Sequence, residues 1–145
     1  MKVLGIDPST KSTGYAIYDT ESDTILKSGV ILALESLNWI KRINYMGKQI
    51  TALYEAYGCD KLNLENVPNI KSIEVTRKLF CLQGVILSSL VGEGICNDCE
   101  LYLPKQWRRH YGIASLKRKE AKAKAMELAG VNNEDEAEAI LISKI

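Results

Sequence analysis

The sequence predicts one α/β domain: a five-stranded mixed sheet, three antiparallel strands followed by two parallel ones, flanked by helices. Three strand patterns follow one another at short spacing near the start, and helix and strand patterns alternate afterwards. The first and fourth strand patterns each end in a carboxylate, Asp7 and Glu65.

The opening stretch carries two apolar runs, Val3-Leu4-Gly5-Ile6 and Tyr15-Ala16-Ile17-Tyr18, with Pro8, Ser9, Ser12 and Gly14 supplying turn chemistry between them. Residues 24–34 read as a third strand with a bend or bulge at Gly29. Three strands at this spacing form an antiparallel meander. Over residues 37–57 the period changes: Leu37, Ile40, Ile43, Ile50, Leu53, Tyr54 and Tyr57 recur at steps of three and four, and Gly58 closes the helix. Trp39 and Tyr45 on it are expected to serve the core or packing rather than function. Lys61-Leu62-Asn63-Leu64-Glu65 is a strand, stopped by the turn Asn66-Val67-Pro68-Asn69.

Residues 70–94 form a long helical pattern that is apolar around much of its circumference and is expected to be well buried. Gly84 within it points to close approach of a neighbour. Cys99-Glu100-Leu101-Tyr102-Leu103 is a fifth strand, stopped by Pro104, and Gln106 to Gly112 reads as a basic, aromatic loop. Residues 116–129 form a helix closed at Gly130, and Asn132 or Asn133 caps a last one.

The chain of 145 residues suits one core. It has no unbroken run of ~18 apolar residues, and its start, Met1-Lys2-Val3-Leu4, enters a strand directly. The expectation is a cytoplasmic protein, with no membrane partner. Cys96 and Cys99 form a CxxC, but Cys59 and Cys81 lie far off and His110 is the single histidine. Reduced thiols are expected rather than zinc.

The net charge of +1 conceals an asymmetry. Lys105, Arg108, Arg109, Lys117, Arg118, Lys119, Lys122 and Lys124 cluster with one acid, Glu120, among them. Glu134, Asp135, Glu136 and Glu138 follow at once. That is the charge map of a polyanion grip beside a metal site, or of a solvated helix face.

A carboxylate at the end of a core strand needs a partner. Asp7 is either a metal ligand or the cap of its own turn. A strand that follows a crossover helix lies parallel to the first strand, so Asp7 and Glu65 meet at one sheet edge. Asp135 and Glu138 share a helix face that continues through the apolar Ile142, and this face points at the same edge. Glu134 competes as a ligand, and helix-dipole pairing also accounts for Glu134 and Asp135. Four converging carboxylates suit a hard cation, Mg²⁺ or Mn²⁺. Two such ions about 4 Å apart serve phosphodiester hydrolysis. Trp107 and Tyr111 are then expected to stack on unpaired bases between phosphate-binding cations.

Gly5-Ile6-Asp7-Pro8-Ser9 with Thr13-Gly14, then Leu64-Glu65-Asn66-Val67, then Asp135-Glu136-Ala137-Glu138-Ala139 resembles the RuvC-type Holliday junction resolvases. The small size and the Leu82-Gln83-Gly84-Val85 and Trp107-Arg108 stretches look closer to the bacteriophage branch, whose members act in the host cytoplasm. The resemblance implies a ribonuclease H-like fold, a homodimer, and cleavage of four-way and other branched DNA with two Mg²⁺ ions per site, Mn²⁺ substituting and no nucleotide cofactor. Paired nicks of like polarity would leave 5′-phosphate and 3′-hydroxyl ends. It makes Asp7, Glu65, Asp135 and Glu138 the ligands. Arg108 and one of Arg118, Lys119 or Lys122 fall where the family keeps basic residues near the scissile phosphate.

Three departures stand out. Glu138 replaces the Asp of the bacterial enzymes, and Pro68 stands where they place a junction-inserting aromatic. The chain ends at Ile145, so a C-terminal extension is not expected. The competing readings are an inert junction-binding protein, which the full acid set opposes, and an RNA-directed nuclease of the same fold. A phosphotransferase of the actin-kinase superfamily would need two such domains, more than 145 residues supply. The expected dimer face is the helix over residues 70–94 with that over residues 37–57.

Overall fold

The computed structural model describes residues 1–68 and 72–145. In chain order the elements are β1 (Lys2–Asp7), β2 (Ser12–Asp19), β3 (Thr24–Leu32), α1 (Trp39–Tyr57), β4 (Lys61–Glu65) and α2 (Ile73–Leu87). A π-helical turn (Ser88–Gly92) extends α2 and leads to β5 (Asp98–Tyr102), α3 (Pro104–His110), α4 (Arg118–Ala129) and α5 (Glu134–Ser143). The sheet order is β3-β2-β1-β4-β5. The pairs β1–β2 and β2–β3 are antiparallel, and β1–β4 and β4–β5 are parallel. This is the mixed sheet that the element order predicts. The expected start of the second helix at Ile70, and the end of the turn at Asn69, lie outside the described residues.

The pleat sorts each strand's residues onto two faces. Leu4 and Ile6 of β1, Ile17 of β2, and Leu62 and Leu64 of β4 join Ile43, Met46, Ile50, Leu82, Ile86 and Leu90 in one core beneath α1 and α2. On the other face, Gly5, Gly14, Ala16 and Asn63 meet α5 and are small or polar. A Cβ on Gly5 would stand 2.4 Å from the Ala139 carbonyl oxygen, and one on Gly14 would stand 1.9 Å from that of Asp135. Ala16 packs on Ala139 and Ile140, and Asn63 Nδ2 donates to the Ile142 carbonyl at 3.0 Å. The two glycines and the alanine thus let α5 lie directly on the sheet. Asp7 and Glu65 share the parity of Gly5 and Asn63, so both belong to the α5 face.

The helix ends follow local chemistry. Asn38, Ser72 and Asn133 cap α1, α2 and α5 with side-chain oxygens, and Gly58 and Gly130 close α1 and α4 in the left-handed conformation. Several expectations need correction. The segment after Pro104 is the helix α3, not a loop. Pro104 occupies its first turn, and Gln106 Oε1 accepts from the Leu103 N–H at 2.7 Å. Gly14 lies within β2, opposite Asp7, and not in the turn. The register shift in the β2–β3 ladder falls between Ile17 and Tyr18 rather than at Gly29. Gly84 has nothing near its missing side chain; the close approach is at Gly47 of α1, where a Cβ would meet Val85 Cγ1 at 2.5 Å.

The α2 helix is less buried than its composition suggests. Leu82 and Ile86 face the core, whereas Ile73, Val75 and Phe80 are exposed, as are Trp39 and Ile40 of α1. Trp39 is therefore not a core residue. Together α2 and its π-helical extension span Ile73–Gly92 with a mean hydropathy of 1.3, long and apolar enough by length and composition to cross a membrane. It is not an unbroken apolar run, because Glu74, Arg77 and Lys78 interrupt its first turns. The four cysteines are all free, with Cys59 and Cys96 buried.

Candidate active site

Asp7 ends β1 and Glu65 ends β4, and the parallel register Ile6↔Leu64 sets them side by side. Glu138 comes from the first turns of α5, above the same edge. Ligand atoms of Asp7, Glu65 and Glu138 all lie within 4.8 Å of one another. Asp135 stands beside this trio rather than in it, its Oδ2 accepting from Ser12 Oγ at 2.8 Å.

Proximity and burial work against ionisation here. Burial, then the charges of Glu65, Glu138 and Asp135, push Asp7 well above the usual carboxylate range, while Lys122 pulls it back. Burial and Glu138 raise Glu65 to about 7 against the opposing pull of Trp107, Arg108 and Lys122. Burial raises Glu138 too, opposed chiefly by Arg108. Three clustered carboxyl groups disfavour shared negative charge unless a cation joins them. Among the described residues this is the grouping able to hold a metal ion, and its donors are all carboxylate oxygens. That donor chemistry fits Mg²⁺ or Mn²⁺.

The helices α3 and α4 bring cations to the rim. Arg108 Nη2 donates to Glu138 Oε1 at 3.0 Å, and its Nε is buried without a partner. Lys122 is half-buried on α4 and pairs with Glu134, so Glu134 is occupied away from the trio. Glu136 accepts from Ser28 Oγ at 2.6 Å. Lys105, Arg109, Lys117, Arg118 and Lys119 are exposed.

The two aromatic residues of this segment do not serve as stacking platforms. Trp107 is 0% exposed, packed among Ile113, Ala125, Ala137, Leu141 and Ile142, and its Nε1–H donates to Glu65 Oε2 at 2.6 Å. Tyr111 is half-buried, and its hydroxyl donates to the Leu141 carbonyl at 2.6 Å. Burial pushes that hydroxyl up to about 12. Both rings complete the second core instead of facing a ligand. Sequence reasoning also missed Ser12, Gly5 and Gly14 as parts of the site. Both glycines sit on the same strand parity as α5's contacts, a signal that only a docked helix makes legible.

A family model described as Crossover junction endodeoxyribonuclease RuvC matches residues 3–141, which contain all four acids. The chain belongs to the RuvC family. A RuvC from Dictyoglomus thermophilum is 33% identical over 60% of this chain, and one from Dictyoglomus turgidum is 32% identical over the same share. The match spans 56% of each of those relatives, so this chain corresponds to about half their length. A RuvC from Syntrophomonas wolfei is 25% identical over 99% of the chain and 86% of its own.

Solved structures share the RuvC fold. The structure titled T. thermophilus RuvC in complex with Holliday junction substrate superposes with a TM-score of 0.75, at 17% identity, over 99% of this chain and 90% of that one. The yeast mitochondrial Holliday junction resolvase Ydc2 gives 0.65 at 17% identity, over 97% of this chain and 75% of that one. The ribonuclease H-like architecture is therefore that of the RuvC family, with its sheet edge carrying Asp7 and Glu65.

Proposed function

We propose that this RuvC-family chain is a metal-dependent, structure-selective endonuclease that resolves four-way and related branched DNA by phosphodiester hydrolysis, as an agent of DNA recombination and repair. The observation that carries the reading is the trio Asp7, Glu65 and Glu138, gathered within 4.8 Å at the rim of the sheet. Asp7, Glu65 and Glu138, with Asp135 beside them, are the residues that would hold Mg²⁺, or Mn²⁺ in its place, two ions per site. Ions held there would activate a water and offset charge on the scissile phosphate.

The protein's own groups do the rest. Glu138 is buried and Asp7 and Glu65 are half-buried, so the site is partly shielded from bulk water. Arg108 sets its guanidinium beside Glu138, a positive charge available to a scissile phosphate. Lys122 adds a second positive charge near the trio. The exposed Lys105, Arg109, Lys117, Arg118 and Lys119 extend a basic track that suits the backbones of a branched duplex.

Resolution by paired nicks calls for two active sites, and we infer a homodimer. The exposed apolar residues Ile73, Val75 and Phe80 of α2, with Trp39 and Ile40 of α1, support a face that a second copy would cover. The Leu82-Gln83-Gly84-Val85 and Trp107-Arg108 stretches favour the bacteriophage branch, although the curated relatives the chain matches are bacterial, and the cytoplasm is the compartment we propose.

End-labelled four-way junction, fork, duplex and RNA–DNA hybrid, each with Mg²⁺, Mn²⁺ or EDTA, provide the test. Symmetric metal-dependent cuts in the junction are expected. Junction binding without cuts would favour an inert module, and cleavage of the hybrid alone would overturn the substrate.

A further inference from the structure

We propose that Trp107 is a positioning residue for the metal centre: its indole N–H fixes the plane of the Glu65 carboxylate, so that Glu65 meets the cation already oriented. This role rests on reading the acidic trio as a metal site.

The indole is locked before any ligand arrives. Its ring is fully buried between α3, α4 and α5, and its neighbours Ala137 and Leu141 flank Glu138 on α5. From that fixed ring, Nε1 reaches Glu65 Oε2 at 2.6 Å. A buried indole N–H needs an acceptor, but any carbonyl would serve. Tyr111, in the same cluster, satisfies its hydroxyl on the Leu141 carbonyl. Trp107 is instead committed to a carboxylate that has two more carboxylates as neighbours.

The choice of a neutral donor matters. Arg108 also grips one of the acids, Glu138, at 3.0 Å, with its guanidinium 5.0 Å from the Trp107 ring. A guanidinium cancels the charge that a metal ion requires and must give way to it. An indole N–H orients the carboxylate and leaves its charge intact. Adjacent residues of one short helix thus hold acids from two different elements, β4 and α5, in two different ways. A carboxylate held by an outer hydrogen bond loses less freedom on ligation, and removing such a bond typically weakens metal binding about 10–100-fold.

Nitrogen-15 spectra of the whole protein without DNA test this. The chain has two tryptophans, so two indole N–H resonances appear, and the partly exposed Trp39 serves as the internal control. The Trp107 resonance is expected downfield of the Trp39 resonance. Glu65→Gln should move it upfield, and Mg²⁺ titration should shift it while Trp39 stays in place. Trp107→Phe removes the N–H together with one of the two fused rings, so its melting temperature in EDTA is expected to fall. It is expected to bind Mn²⁺ about 10-fold more weakly by calorimetry at a temperature where it remains folded.

Unchanged Mn²⁺ affinity in Trp107→Phe, beside normal binding by the unaltered protein, would overturn the role alone. An unaltered protein that takes up no Mn²⁺ would overturn the metal-centre reading and the role with it. Where Trp107→Phe fails to fold, the indole response decides: a Trp107 resonance indifferent to both Glu65→Gln and Mg²⁺ rejects the role.

Discussion

Gly14 leaves open the space that the Asp135 carbonyl oxygen fills: a Cβ on Gly14 would stand 1.9 Å from it. Backbone thus meets backbone where α5 delivers its acids to the sheet. Gly14→Ala is expected to push α5 outward, to destabilise the fold by about 1–3 kcal/mol as overpacking does, and to lower cleavage further by displacing Glu138. Gly84→Ala makes the same chemical change in open space within a helix, and there a gain of roughly 0.5–1 kcal/mol is expected. Thermal melts of the two variants side by side check the contrast. Equal effects would remove the special place given to Gly14.

Asp7→Asn keeps the shape of the side chain and removes its charge. Cleavage of a four-way junction should fall by about 10²–10³-fold or more. Junction binding, read by gel shift without metal, should hold or tighten, since one negative charge facing phosphate is gone. A variant that still cuts at the original rate would reject Asp7 as a ligand.

Stability of the metal-free protein should fall as pH rises. Glu65 is held up to about 7 from an ordinary 4.5, and Asp7 and Glu138 are raised as well. The folded chain therefore binds protons that the unfolded chain has released. The stability this brings is fully present below about 4.5 and is lost as pH climbs through about 7. Melting temperatures in EDTA should decline from about pH 5 to about pH 8, and Glu65→Gln should flatten the slope. Saturating Mg²⁺ should raise the melting temperature more at the upper end, because ligation needs the ionised form. A curve that climbs over this window would contradict the assignment.

Arg108→Ala removes both the partner of Glu138 and a phosphate donor. Junction cleavage should drop, with a smaller deficit at low salt. The slope of log binding constant against log salt should lessen by about 1. Identical binding curves across the salt range would exclude Arg108 from the grip.

Much of this centre was legible because it depends on order and period. Strand endings at Asp7 and Glu65, a crossover helix between them, and the three-residue step from Asp135 to Glu138 are properties of the chain itself. What escaped depends on docking. Trp107 reads as a surface aromatic because it sits among cations, yet the packing of α3 against α4 and α5 turns its ring inward. Gly5 and Gly14 read as turn or strand glycines until α5 lies over them. The apolar circumference of α2 suggested burial, but hydrophobicity does not distinguish a core from a face left for another molecule. Asp135 has the ligand spacing, and only the fold reveals that Ser12 already holds it.

The candidate centre draws its groups from three distant stretches of chain: the end of β1, the end of β4, and α5. No early fragment can assemble it. During synthesis a nascent chain that has formed β1 through β5 still lacks Glu138, so the acidic trio can close only when residues 134–143 seat against Gly5 and Gly14. If the trio is the proposed nuclease centre, truncation before α5 should yield a protein that cannot cut.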